Sequence, residues 1–283
     1  MSTPSAALAR LLAKTPARLA IGRSGPRLTT ASYLRFLADH GRARDAVFTE
    51  VPPAVVKKLG LVELGTAAGS RAAYLRDPGL GRTLAPSARA RLARCRKRPE
   101  VQILVIDGLS SAAVVAHAGA LLRALVRELA GRRRRLGTPI FVRNGRVRIQ
   151  DEIGHVLRPE VCCAIVGERP GLATATSLSA YVIHRPTRAS TEPDRTLISN
   201  IHDGGLAPAA AARRIADLVD TCLAHEASGA ALAAALAATG AGDAPGAHAG
   251  SGAPTRLREN ASGRVRRGDR AAASGARPRP RAT

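Results

Sequence analysis

The sequence has very few aromatic side chains. Phe, Trp and Tyr together make up 2% of the 283 residues, and tryptophan is absent. Proteins that bind single-stranded nucleic acid stack bases on aromatic rings, so this scarcity argues against base stacking. Hydrophobic residues still reach 45%, which is enough for a core. That core must consist mainly of Ala, Val, Leu and Ile, which suits helices and a parallel sheet covered on both faces.

Long apolar runs and metal-type cysteine spacings are also missing. No segment approaches the ~20 apolar residues of a membrane-spanning helix, and the apolar residues near the N-terminus are interrupted too often for a secretory signal. The four cysteines, Cys95, Cys162, Cys163 and Cys222, lack zinc-type spacing, and adjacent Cys162 and Cys163 should point to opposite faces of a strand. We expect a soluble cytoplasmic protein with buried thiols, no bound metal and no membrane partner.

Signatures of common catalytic sites are absent as well. No P-loop, HExxH or SxxK motif occurs, and Ser24 lies in Gly-Arg-Ser-Gly rather than in a nucleophile elbow. The strand predicted over residues 101–106 is not followed by a GxGxxG dinucleotide fingerprint. His40 and His117 fall on predicted helices, as ordinary core or surface residues. The sequence therefore gives no sign of hydrolase or nicotinamide chemistry.

Positive charge is in clear excess. The chain carries 44 Lys and Arg against 21 Asp and Glu, a formal net charge of +23. A basic nucleic-acid-binding protein is therefore an alternative function, and tight duplex binding that weakens steeply with salt would favour it. We interpret the charge mainly as a composition bias, because nearly all the cations are arginine. The densest basic stretches, residues 132–135 and the segment after residue 255, do not form one stripe.

The pattern of apolar residues predicts an α/β fold with three parts. Residues 1–84 form a small helical N-terminal domain, and residues 240–283 form a disordered basic tail rich in Gly, Ala, Arg and Pro. Residues 85–239 form a Rossmann-like domain, a mainly parallel sheet flanked by helices. Its predicted helices span residues 85–98, 112–129 and 208–237, and its predicted strands span 101–106, 137–142, 160–166 and 179–184. Asn-Gly at residues 144–145 predicts an added β-hairpin.

Polar residues follow two of the predicted buried strands. Gly-Glu-Arg-Pro-Gly occupies residues 167–171, and a second loop is predicted over residues 194–205. Ligands of open α/β sheets bind outside the carboxyl ends of the strands, although Gly and Pro are equally common in ordinary tight turns. Asp-Gly-Leu-Ser at residues 107–110 likewise leaves two alternatives, an anion site at the start of a helix or a simple helix cap.

Residues 200–205, Asn-Ile-His-Asp-Gly-Gly, resemble the DxHxxG pattern with which some cobalamin enzymes ligate cobalt through histidine. Asparagine replaces the aspartate that would orient the imidazole, and the motif falls late in the domain instead of in its first strand-to-helix turn. We do not expect His202 to bind a metal.

Six motifs in a fixed order resemble the small subunit of ethanolamine ammonia-lyase. They lie at residues 22–27, 34–40, 107–110, 141–147, 166–171 and 198–202. The resemblance runs from about residue 15 to residue 230. One such motif alone would be weak evidence, whereas six collinear motifs are specific.

The resemblance implies a radical lyase that converts ethanolamine to acetaldehyde and ammonia with adenosylcobalamin. In that family a large TIM-barrel subunit binds substrate, and the small subunit helps to hold the corrinoid against the barrel mouth. The cofactor keeps its own dimethylbenzimidazole on cobalt, so no ligand such as His202 is needed. This chain is then active only in a hetero-oligomer and supplies no catalytic residue.

The same resemblance implies individual cofactor contacts. The family's cobalamin contacts correspond to Val147 and Glu168, and a third is a cysteine where this sequence has Leu197. Leucine removes any thiol role and leaves apolar or backbone contact. Glu168 can accept a hydrogen bond from an amide on the corrin rim, and we add Arg169 as a donor to a rim carbonyl. Residues 5–19 can be interpreted as a packing helix or as an encapsulation signal for a bacterial microcompartment.

Overall fold

The structure is a computed structural model that describes residues 5–15 and 18–239. The tail predicted over residues 240–283 lies outside the described residues. The helices are α1 (Ala6–Leu12), α2 (Thr30–Phe48), α3 (Pro53–Lys58), α4 (Arg71–Arg76), α5 (Pro86–Ala93), α6 (Ser111–Ala113), α7 (Gly119–Gly131), α8 (Ile149–Leu157), α9 (Pro208–His225) and α10 (Gly229–Ala238). The strands are β1 (Arg23–Ser24), β2 (Arg27–Leu28), β3 (Val62–Gly65), β4 (Val101–Ile106), β5 (Ile140–Arg143), β6 (Val161–Gly167), β7 (Leu178–His184) and β8 (Thr196–Ile201).

Six strands form one mixed sheet in the order β3-β5-β4-β6-β7-β8. The first four run parallel, and β7 and β8 add two antiparallel strands at one edge. The predicted α/β class with a mostly parallel sheet is confirmed. Among the described residues, no helix combines the length and apolarity needed to cross a bilayer.

Helices cover both faces of the sheet. Every residue of β4 and β6 is buried, as expected for central strands that are almost wholly apolar; Gln102 is the polar exception in β4. One core contains Leu121 and Leu125 of α7 with much of α9, and the opposite core contains parts of α5 and α8. Cys163 belongs to the first core and Cys162 to the second, so the expectation that they face opposite sides of β6 is confirmed.

The arginines that follow α7 form an ion-pair cluster. Arg132 contacts Asp217 at 2.6 Å and Asp220 at 2.7 Å, and Arg134 contacts Asp220 at 2.8 Å and Glu100 at 3.5 Å. These pairs join the end of α7 to α9 and to the start of β4. The densest basic run in the described residues is thus largely neutralised, which removes it as a free cationic surface for nucleic acid.

The hairpin predicted at Asn-Gly is wrong. β5 lies between two parallel neighbours, and residues 144–148 carry the chain from β5 into α8, a helix that the sequence did not predict. Asn144 adopts a φ of 56°, and this left-handed conformation, which asparagine tolerates, turns a strand toward a helix here. The antiparallel part of the sheet is formed instead by β6, β7 and β8.

The predicted loop over residues 194–205 is also partly wrong, because residues 196–201 form the edge strand β8. Its Ile198 and Ile201 are buried and face the core. The single helix predicted over residues 208–237 is two helices, α9 and α10, which are separated at Ser228.

The N-terminal part of the chain is not purely helical. Residues 23–28 form a small ribbon of β1 and β2, and β3 is an edge strand of the main sheet beside β5. A separate helical domain over residues 1–84 is therefore not confirmed, and a domain boundary at residue 84 stays a prediction.

Replacing fully buried Leu125 by Ala should lower the free energy of unfolding by about 2–5 kcal/mol, because it leaves a cavity between α7 and the sheet. The matched change Leu34→Ala, at a residue that is 59% exposed, should change it by less than about 0.5 kcal/mol. Denaturant titration of both variants measures the difference, and equal losses would contradict this assignment of the core.

Candidate functional site

A crevice opens at the carboxyl ends of the parallel strands. The chain leaves β4 toward α7 on one face of the sheet and leaves β5 toward α8 on the other. In open α/β sheets such a reversal is where ligands bind. A cavity of about 270 Å³ lies there, lined by Tyr74, Tyr181 and the three strand-end loops at residues 108–109, 145–147 and 166–169.

The floor of this cavity depends on two glycines. A Cβ on Gly108 would lie 2.2 Å from the carbonyl oxygen of Gly167, and a Cβ on Gly167 would lie 2.2 Å from that of Ser110. Gly108 also has a φ of 54°, in the left-handed region. Leu109 N–H donates to the Gly167 carbonyl at 2.9 Å, so the loops after β4 and β6 are in direct backbone contact.

Asp107 ties the loop after β4 to the loop after β5. Its carboxylate accepts hydrogen bonds from the backbone amides of Asn144 at 2.9 Å and Gly145 at 3.2 Å. Burial raises the pKa of Asp107 to about 6, against the lowering effect of these two amides and of Arg71. Asp107 is thus neither a helix cap nor free to bind a ligand.

Ser110 caps helix α6, because its Oγ accepts a hydrogen bond from Ala113 N–H at 3.1 Å. Of the two alternatives for residues 107–110, the structure therefore supports the cap.

Arg71 and Tyr74 of α4 support the same loops from the other side. Arg71 donates to the Gly108 carbonyl at 2.7 Å, and Tyr74 donates to the Gly145 carbonyl at 3.2 Å. Both side chains are buried. Burial raises the pKa of Tyr74 to about 12, so its hydroxyl stays protonated and can donate.

The polar groups of the cavity are Glu168, Arg169 and Arg146. The Tyr181 hydroxyl donates to Oε1 of Glu168 at 2.9 Å, and burial raises the pKa of Tyr181. The other oxygen of Glu168 accepts from no described residue, and Arg169 makes no hydrogen bond or ion pair with any described residue. One carboxylate oxygen and one guanidinium group thus remain for a ligand.

Three of the four contacts predicted from the sequence lie in this cavity, namely Val147, Glu168 and Arg169. Leu197 does not line it. Leu197 lies in β8, opposite Tyr181 of β7, and is 41% exposed. Directly paired residues of neighbouring strands share a face of the sheet. Leu197 therefore lies next to Tyr181, which lines the cavity, on the same face.

His202 is held within its own turn. One ring nitrogen lies 2.7 Å from Oδ1 of Asn200, and the other accepts from Gly204 N–H at 3.1 Å. Both nitrogens that could ligate a metal are thus engaged locally. Across the described residues, no group of three His, Cys, Asp or Glu side chains has a metal-binding arrangement.

Comparison with protein families agrees with the sequence motifs. Residues 5–233 match the family model described as Ethanolamine ammonia-lyase light chain (EutC). The chain belongs to this family. The match extends from α1 into α10, so it includes the whole sheet and the cavity. The family indicates that the chain is the small subunit of ethanolamine ammonia-lyase, a cobalamin-dependent lyase of ethanolamine breakdown that contains a heavy subunit.

The sequence patterns do not identify four residues that shape or line the cavity. The patterns predict a cap or an anion site at residues 107–110, which include Asp107, and they predict no site role for Arg71, Tyr74 or Tyr181. A signal was present in the composition, because the chain has only three tyrosines and two of them line this cavity.

The raised pKa of Asp107 predicts a pH dependence of stability. The folded chain retains a proton on Asp107 up to pH about 6, whereas the unfolded chain releases it near 3.8, so stability should fall as pH rises through this window. The shift corresponds to about 3 kcal/mol. Asp107→Asn should flatten the pH dependence of the free energy of unfolding between pH 4 and 7. An unchanged slope would contradict the protonation assigned here.

The close approach of the loops predicts a strong effect of Gly108→Ala. The added methyl group must push the loop after β6 away, and the positive φ adds strain, so stability should fall by at least about 2 kcal/mol. Gly131→Ala is the control, because its Cβ would meet nothing within 4 Å at the end of α7. Thermal unfolding of both variants measures the contrast.

Proposed function

We propose that this chain forms one wall of an adenosylcobalamin site in ethanolamine ammonia-lyase and that the heavy subunit forms the rest. The reaction converts ethanolamine to acetaldehyde and ammonia. The observation that carries the proposal is that Val147, in the loop after β5, and the adjacent residues Glu168 and Arg169, after β6, line one crevice at the carboxyl edge of the sheet.

The residues of the crevice fit the chemistry of a corrinoid. A corrin ring has broad apolar faces and a rim of amide side chains, each with donors and an acceptor. Val147, Val166 and Leu109 offer apolar contact, while the free oxygen of Glu168 can accept from a rim amide N–H. Arg169 can donate to a rim carbonyl. Apolar contact contributes roughly 25 cal/mol per Å² buried, so it supplies most of the affinity and the polar groups supply orientation.

The size of the cavity indicates a shared site. At about 270 Å³ it is smaller than most sites that enclose a drug-sized ligand, which span roughly 300–1,000 Å³. It can accept an edge of a large cofactor, while the remainder lies over Tyr181 and exposed Leu197. A second polypeptide must then cover the opposite side of the ring, which agrees with a light chain that acts with a heavy chain.

The role of this chain is to position the cofactor. When bound, adenosylcobalamin supplies a radical by homolysis of its cobalt–carbon bond. Tyr181 fixes the Glu168 carboxylate through the bond at 2.9 Å, so the free oxygen points in a defined direction. The backbone contacts between Gly108, Leu109 and Gly167 keep the floor rigid. The substrate site and the catalytic residues then belong to the heavy chain, and the light chain has no activity alone.

The cellular location of the complex has two alternatives. A cytoplasmic complex is the simplest expectation, and enclosure in a bacterial microcompartment is the alternative that residues 5–19 leave open. Helix α1 buries none of its residues against the rest of the described chain, which leaves it accessible for either role.

Replacing Glu168 by Ala should raise the apparent KM for adenosylcobalamin by about tenfold and change kcat much less, because it removes a binding contact. Steady-state acetaldehyde formation by the reconstituted complex measures both constants. Tyr181→Phe, which removes the hydroxyl that orients Glu168, should shift KM in the same direction by a smaller factor.

A matched control is Glu226→Ala, which removes an exposed carboxylate at the end of α9. It should leave both constants unchanged. Full acetaldehyde formation by the heavy chain alone, or an unchanged KM for Glu168→Ala, would overturn the proposed role.

A further inference from the structure

Helix α2 exposes an unusual amount of apolar surface. Among its 19 residues only Asp39 and Ala46 are buried, and residues 33–38 are all exposed. We define the α2 patch as Tyr33, Leu34, Phe36, Leu37 and Phe48, whose exposed fractions range from 37% to 60%. Helices in proteins gain most of their stability from packing of an apolar face. Within the described residues, the exposed apolar side chains of α2 therefore have no packing partner.

The patch concentrates residues that the chain otherwise uses sparingly. The whole chain has six aromatic side chains, and three of them, Tyr33, Phe36 and Phe48, lie on α2. Ten of the twelve exposed large apolar residues in the described chain fall within residues 11–48 or at Leu172. Aromatic residues are enriched in the buried centres of protein interfaces, and a concentration of exposed apolar residues on one element indicates a binding surface.

The α2 patch is continuous with the strand-end loop that carries Glu168. Arg18 pairs with Asp39 of α2 and donates to the carbonyl of Leu172 at 2.8 Å. A cavity of about 440 Å³ lies between Phe36, residues 18–21 and Leu172. A polypeptide that covers the cofactor crevice would therefore reach the patch without leaving the protein surface.

Charge and composition exclude two simple occupants. Residues 5–50 carry eight Lys and Arg against three Asp and Glu, a net charge of +5. The segment 240–283 carries nine Arg against three acidic residues, with Leu257 and Val265 as its only large apolar residues. It is too basic and too poor in apolar side chains to cover the patch. A second copy of this chain would place one basic surface against another.

We propose that the α2 patch is the docking surface for the heavy subunit, through an apolar centre with an acidic rim on the partner. This inference rests on the proposed function, which supplies the partner and the covered crevice. The patch and the crevice then form one continuous interface, in which α2 contributes affinity and the strand-end loops contribute the cofactor contacts.

The test measures association of the full chain with its heavy subunit by sedimentation over a dilution series. Leu34→Glu combined with Leu37→Glu should weaken association at least about tenfold, because two apolar contacts are lost and two negative charges face an acidic rim. Ala90→Glu is the control, an exposed residue on α5, which packs in the core on the other face of the sheet, and it should have no effect. The isolated double variant should keep its circular dichroism and thermal stability, since both leucines are exposed.

The outcomes separate this inference from the proposed function. If the wild-type chain fails to bind the heavy subunit, the proposed function is wrong. If the wild-type chain and the double variant bind equally well, only the docking surface is wrong. A self-dimer of the isolated chain that the double variant dissolves would also overturn it. The variant complex, once saturated with light chain, should keep the wild-type KM for adenosylcobalamin, in contrast to Glu168→Ala.

Discussion

The architecture of the crevice depends on one buried carboxylate. Asp107 ends the central strand β4 and accepts two backbone hydrogen bonds from the turn that follows β5. Without this acceptor, two buried amides would lack partners, at about 1–3 kcal/mol each. The same contact fixes the position of Val147 in the turn after β5. It also fixes the loop at Gly108 in the position where that loop contacts Gly167. The positions of the residues that face the cavity therefore follow from a group that does not face it.

Much of the central sheet could be predicted from the sequence, because strands buried on both faces are almost wholly apolar. The predictions for β4, β6 and β7 each lie within one residue of the observed bounds. The Asn-Gly turn was misread because the same left-handed residue that closes a hairpin can also direct a strand into a helix. The edge strand β8 was missed because only two of its six residues, Ile198 and Ile201, are buried.

Only part of the candidate site, like only part of the fold, could be predicted from the sequence. The family resemblance predicts Val147 and Glu168, the chemistry of its loop predicts Arg169, and all three line one cavity. The partners that hold them, such as Tyr181 for Glu168, lie on a neighbouring strand. Such pairing depends on strand register, which local patterns do not reveal. The basic composition is a poor predictor of a nucleic-acid-binding surface, because arginines such as Arg132 and Arg134 form ion pairs with carboxylates within the fold.

The burial of every cysteine limits the chemical reactivity of the folded subunit. All four cysteines of the chain are buried, and burial raises the pKa of each thiol. A neutral, enclosed thiol reacts poorly with electrophiles and oxidants, which require an accessible thiolate. Alkylating agents and peroxides therefore have no accessible sulfhydryl on the folded light chain.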